Sequence, residues 1–187
     1  AMADQISGTR LEIGTSTSGA IRIDDFSPAN LTTLVLATDE DVAQGTVDAG
    51  IDLTIANLAI DSDTGVDIDA NVTTLAINNA DAGSNVQIDS SSTSLTIGSV
   101  TTSAGALAGI TTAGGSVNVE GATAITVDNA LTSNGGGIVL TTTTGDLTVN
   151  ANVSASTGDI QINAADLVLT GALSSSGTLV LQPSTTG

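Results

Sequence analysis

Carboxylates are the side chains best able to do chemistry in this sequence. The run Asp61-Ser62-Asp63-Thr64-Gly65 resembles the first half of a calcium loop, in which oxygen ligands alternate along the chain. An EF-hand loop needs a glutamate at its twelfth position, where this chain has Val72. Because the loop is incomplete, we expect ordinary solvated acidic turns and no cofactor. A calcium ion held by Asp61 and Asp63, with Asp39 or Asp41 from another turn, is the alternative.

The same carboxylates are poor candidates for catalysis. Enzymes that cleave polysaccharides use paired carboxylates or a basic residue, together with aromatic surfaces for the sugar rings. The chain has no Lys, His, Tyr or Trp. The carboxylate pairs Asp61/Asp63 and Asp67/Asp69 are expected to be solvated, since Asp67, between Val66 and Ile68, points outward by strand alternation. We therefore expect a non-catalytic protein, with a carbohydrate-active enzyme as the weaker alternative.

Charge narrows the range of partners. The net charge is −18, and Arg10 and Arg22 are the only basic residues. Nucleic-acid binding and attraction to anionic membranes both require clustered cations, so we expect neither. No apolar run is long enough to span a bilayer, so no membrane insertion is expected.

The elements that would position these side chains are short apolar triplets. In Ile138/Leu140, Leu147/Val149 and Ile160/Ile162 two apolar residues flank a third one, so each triplet points two residues inward on a strand. Such strands are too short to be stable alone. Ile138 and Ile160 are 22 residues apart, and Val66 and Val86 are 20 apart. A repeat of this length buries its apolar face only by stacking on copies of itself.

The spacing predicts an all-β fold, a single-stranded right-handed β-helix (β-solenoid) of roughly eight coils and about 40 Å length. Residues 1–187 form one domain, with irregular or capping coils over 1–49 and regular coils over 50–187. Residues 24–30, which contain Phe26 and Pro28, form a cap or a side loop, and residues 98–115 form a bent or inserted coil. Two tandem β-sandwiches are the alternative, disfavoured by the scarcity of aromatic residues.

The register makes a specific prediction about burial. Alternation places one set of side chains inside: Val66, Ile68, Leu75, Ile77, Val86, Ile88, Leu95 and Ile97. The residues between them should be less buried: Asp67, Ala76, Gln87 and Thr96.

The phrases TTAGGSVNVEGATAITV, GDLTVNANVSASTGDIQINA and LTGALSSSGTLVL resemble the repeat regions of filamentous-haemagglutinin-like bacterial surface proteins, over about residues 50–187. The resemblance implies a β-helical rod at the bacterial cell surface or outside the cell, part of an adhesin or matrix fibre, with no catalytic residues in its repeats. The Asn-Pro motifs of that family's secretion domain do not occur, so the chain is similar to the shaft. The expected function is a structural shaft segment, and a calcium- or partner-binding adhesin module is the alternative.

The resemblance also indicates the partners. We expect neighbouring coils or domains of a longer repetitive parent chain. End-to-end self-association is expected on a separate ground, since a terminal coil without a cap leaves backbone groups unpaired. The last triplet, Leu179-Val180-Leu181, lies six residues from Gly187, too close to it for a helical cap.

Overall fold

The computed structural model describes residues 5–45, 50–51 and 53–183. These residues form 21 strands and no α-helix, and among them no helix is long and apolar enough to cross a membrane. The strands are β1 Arg10–Gly14, β2 Ile21–Ile23, β3 Thr33–Ala37, β4 Val42–Gln44, β5 Leu53–Ser62, β6 Val66–Asn79, β7 Val86–Ser90, β8 Ser94–Ile97, β9 Ser99–Thr102, β10 Gly105–Ala108, β11 Ile110–Thr112, β12 Val117–Glu120, β13 Ala124–Val127, β14 Leu131–Ser133, β15 Ile138–Thr141, β16 Leu147–Val149, β17 Val153–Ala155, β18 Ile160–Ala164, β19 Leu167–Leu169, β20 Leu173–Ser175 and β21 Leu179–Pro183.

All the strands except β9 and β10 pair in parallel between successive coils, so the predicted β-solenoid of about eight turns is confirmed. The coils have three sides. Side 1 contains β2, β4, the start of β6, β7, β12, β15, β18 and β21. Side 2 contains the start of β5, the middle of β6, β8, β13, β16 and β19. Side 3 contains β1, β3, the ends of β5 and β6, β11, β14, β17 and β20.

The core is a set of columns of stacked side chains that run along the rod. On side 1 one column has a residue from each of eight coils: Ile21, Val42, Val66, Val86, Val117, Ile138, Ile160 and Leu179. On side 3 another contains Ile13, Leu36, Ile60, Ile77, Ile110, Leu131, Val153 and Leu173. Branched aliphatic residues fill this narrow interior, and one continuous cluster extends from Ile23 to Ala164.

The predicted register is confirmed at all eight inward positions, which are buried. Asp67 is exposed, and Gln87 and Thr96 are half-buried. The prediction for Ala76 is wrong, because this residue points outward yet has 0% exposure. A second layer covers it, formed by β9 and β10, which pack Val100 and Leu107 against it.

Residues 24–30 form part of the coil wall. The half-buried Phe26 packs against the main core, and its carbonyl accepts the Thr54 amide at 2.9 Å, as a strand residue of side 2 would. Pro28 is buried, and Ser7 pairs with Asn30. The described residues of the predicted irregular region 1–49 thus join the same ladders as the later coils.

Inward hydroxyl groups close the corner between side 3 and side 1. The buried Thr112 donates to the Gly115 carbonyl at 2.6 Å. In the next coil, the Ser133 hydroxyl lies 2.6 Å from the Gly136 carbonyl and 2.9 Å from that of Gly115. These bonds satisfy backbone groups that turn away from the ladders.

The predicted insertion within 98–115 is an antiparallel hairpin, β9 and β10, rather than a coil. It leaves the coil at Gly98 and returns at Gly109, whose amide donates to the Gly98 carbonyl at 2.8 Å. Gly109 has φ of +73°, and a Cβ there would lie 2.0 Å from the Ala130 carbonyl oxygen. Only glycine fits this position.

Candidate functional site

Within the described ranges, the hairpin is the one element that breaks the repeat, and it lies along the rod on the outside of side 3. Its strands contact β6 and β5, and its tip reaches β1. Beneath it, the outward residues of four successive coils form one column: Glu12, Val35, Ala59 and Ala76. Three of these four residues are apolar, so the hairpin buries a small second core with Val100 and Leu107.

The tip of the hairpin is held by Glu12. The Ser103 amide donates to Glu12 Oε1 at 2.6 Å, and the Ser103 hydroxyl donates to Glu12 Oε2. Arg10 Nε lies 2.8 Å from Glu12 Oε1. The hydrogen bond from the Ser103 side chain, the Ser103 amide and the Arg10 guanidinium together lower the pKa of Glu12, although burial opposes them.

A groove of about 400 Å³ lies between β10 and the rod surface. Its floor contains Gly14, Ala37 and Asp61, which stack in the outward column next to the one that the hairpin covers. Gly14 and Ala37 are small, and this leaves room beside the hairpin. Residues 102–107 form the opposite wall. A smaller groove of about 280 Å³ lies on the β9 side and includes Arg10.

In the structure the predicted metal ligands have different partners and do not form one site. Asp61 is exposed on the groove floor, where its Oδ1 accepts the Asn78 side-chain amide at 2.7 Å. Asp63 lies at the following corner, where its amide donates to the Glu40 carbonyl. Asp41 forms an ion pair with Arg22 at 3.0 Å. Within the described ranges no three acidic side chains lie together as metal ligands, and calcium binding stays a prediction.

Three carboxylates stack on the outside of side 1. Asp69, Asp89 and Glu120 occupy one column in three successive coils. The Gln87 side-chain amide donates to Asp89 at 3.2 Å and to Glu120 at 3.1 Å, which links the last two. Burial, followed by repulsion from Glu120 and Asp69, raises the pKa of Asp89.

The alternation and spacing of the triplets do not predict the groove, although the sequence contains a signal for the layer that borders it. In three successive coils the side 3 triplet has an apolar middle residue: Leu34-Val35-Leu36, Leu58-Ala59-Ile60 and Leu75-Ala76-Ile77. A strand with continuous apolar residues is typically buried on both faces. These middle residues therefore indicate a covering layer over side 3.

Comparisons with known proteins identify no relative. No family model, no curated protein and no solved structure matches the chain. The geometry of the rod and its groove is therefore the basis for any functional conclusion.

Proposed function

We propose that this chain is a structural, non-catalytic shaft segment of an extracellular bacterial fibre or adhesin. The single observation that carries the proposal is the unbroken stacking of the core, in which one side-chain column passes through eight coils from Ile21 to Leu179. A stack of this kind extends by simple repetition, at about 4.8 Å per coil.

The bonding pattern supports a spacer role. The ladder hydrogen bonds of all three sides run between coils, so they lie along the rod and resist its extension. The net charge of −18 keeps the outer faces of such rods apart in solution. Both features suit an element that holds other parts of a fibre at a distance.

The last described coil supports stacking on further coils. Leu179 and Leu181 occupy inward columns, yet they are 47% and 52% exposed. Leu169, which stacks on the buried Val149 in an inward column of side 2, is also exposed. These side chains are positioned as in every other coil for another coil to pack on them. We propose neighbouring coils, or the end of a second molecule, as that partner.

Two experiments test the proposal. Antibodies against the segment should label intact cells of the source bacterium along surface fibres, and labelling only after permeabilisation would contradict it. Light scattering across salt concentrations should show end-to-end association that grows as salt screens the repulsion. The control variant Leu181→Lys should remain monomeric at every salt concentration.

A further inference from the structure

The outer edge of β10 has backbone groups directed away from the hairpin. In the antiparallel register Val100 lies opposite Leu107 and Thr101 opposite Ala106. The Gly109 amide donates to the Gly98 carbonyl, and hydrogen-bonded pairs alternate from there, at 100/107 and 102/105. The peptide groups of Ala106 and Ala108 therefore point away from β9. Within the described part of the chain, neither group has a hydrogen bond to another residue.

This edge borders the groove beside β10. The Leu107 side chain points toward the rod, so the side chains of Ala106 and Ala108 point to solvent. The edge of β10 therefore faces the space above the groove floor. An added strand would lie on Gly14 and Ala37, whose small side chains leave space for its backbone. Natural proteins protect edge strands with charges or proline, and β10 (Gly105-Ala106-Leu107-Ala108) has neither.

We propose that this groove binds an extended, basic peptide segment of a partner protein by strand addition to β10. The partner backbone would pair with the peptide groups of Ala106 and Ala108. A lysine or arginine of the partner would reach Asp61 on the groove floor. The charge of the rod selects a cationic partner, because the net charge is −18 and the groove floor contains no basic residue. This lateral site goes beyond the shaft role, which needs only the coil stacking.

The test uses a short fluorescent peptide of alternating lysine and valine and measures fluorescence anisotropy at physiological salt. Ala106→Pro removes the outward amide and adds no charge, and proline is tolerated where the N–H of an edge strand faces solvent. We expect this variant to bind the peptide at least about tenfold more weakly than the matched control Ala106→Ser. Asp61→Asn should weaken binding and reduce its dependence on salt.

A second measurement does not depend on the folding of a variant. A peptide of the same sequence and charge, methylated on alternate backbone nitrogens, cannot pair as a strand, so it should bind the unmodified rod at least about tenfold more weakly. Equal affinity for the two peptides would mean diffuse charge attraction and would overturn the proposal. Absence of binding, or self-association of the rod that Ala106→Pro abolishes, would also overturn it, the latter in favour of a second copy.

Discussion

Single side chains in this rod act mainly on the coil next to them. An inward residue contacts its column neighbours, and an outward one shares its column with the side chains about 4.8 Å above and below. The same substitution therefore has different effects in different columns. Removing a buried hydroxyl should lower the stability of the rod, whereas neutralising a stacked carboxylate should raise it.

Ser133→Ala should lower the free energy of unfolding by about 1 kcal/mol, because the half-buried Gly136 carbonyl loses the Ser133 hydroxyl and the Gly115 carbonyl keeps only that of Thr112. Alanine fits this position sterically, since Ala155 occupies the same column one coil later. Denaturant unfolding measures the change. The outward control Ser154→Ala should stay within about 0.5 kcal/mol of the wild type. Equal effects of the two variants would contradict a capping role for Ser133.

Asp89→Asn should raise the melting temperature at neutral pH. The pKa of Asp89 is raised by burial and by Glu120 and Asp69, so its charged form costs stability above the ordinary pKa of aspartate. The gain should disappear in acid, where Asp89 is protonated, and should shrink in high salt. Melting curves across pH measure it, with the exposed Asp128→Asn as control. A gain that persists below about pH 3 would exclude this electrostatic cause.

At the scale of elements, the hairpin is a strap across the N-terminal coils. Its neck lies beside β6, and its tip is bonded to β1. The strap thus ties together coils that otherwise interact only with their nearest neighbours. Two predictions test the tip alone and then the whole hairpin, and the difference between them is the contribution of its apolar underside.

The tip contact should be sensitive to pH. Because the pKa of Glu12 is lowered in the folded state, the stability that its charge contributes is present at neutral pH and is lost as pH falls through the folded pKa. Glu12→Gln should therefore melt below the wild type at pH 7. The difference should shrink as pH falls below the ordinary pKa of glutamate, about 4.3, and vanish below the lower folded pKa. A difference that stays constant with pH would show that Glu12 acts through packing alone.

The apolar underside should matter more than the tip. In the next coil the two corresponding core residues, Val127 and Leu131, are separated by three residues, so replacing Ser99–Ala108 with one asparagine restores an ordinary coil length between Ile97 and Ile110. The product should fold, bind a hydrophobic dye through the uncovered Val35, and lose about 2 kcal/mol of stability. A chain that fails to fold would show that the hairpin is needed to form the coil.

The sequence predicts the coils well because their signal is local. Ile138/Leu140 and Ile160/Ile162 show the alternation and the spacing directly, and both pairs are buried. The strap is harder to predict, since Gly105-Ala106-Leu107-Ala108 shows no polar alternation and its docking depends on residues up to about 90 positions away. The groove is harder still to predict from the sequence, because the coils differ in length and the stacking of Ala37 on Asp61 therefore does not follow from a fixed repeat.

On the scale of the whole molecule, the rod is a one-dimensional stack. Repeat proteins of this kind have stabilities that are approximately sums of coil and interface terms. The register along the rod also determines which insertions and deletions are tolerated. Only the gain or loss of a whole coil leaves every strand paired with a strand of the same side.

Deleting residues 138–159 should therefore leave a folded rod. Ile138 and Ile160 share a column, so β12 would pair with β18 in place of β15. We expect a retained β-type circular dichroism spectrum, cooperative melting, and a rod shorter by about 4.8 Å in X-ray scattering. The control deletion of residues 138–146 places β16, a side 2 strand, over side 1 and should abolish folding. Survival of the control would argue against the three-sided register.

The base of the hairpin is also a position where foreign sequence can be inserted into the rod. The chain leaves the coil wall at Gly98 and re-enters it at Gly109, and a 2.8 Å hydrogen bond joins these two residues. The coils above and below keep their pairing. Any foreign loop whose ends approach this closely should be accommodated there, at an entropic cost that grows only slowly with its length. Insertions of variable length and sequence among rods of this fold should therefore concentrate at such a position, where the stacked coils need not change.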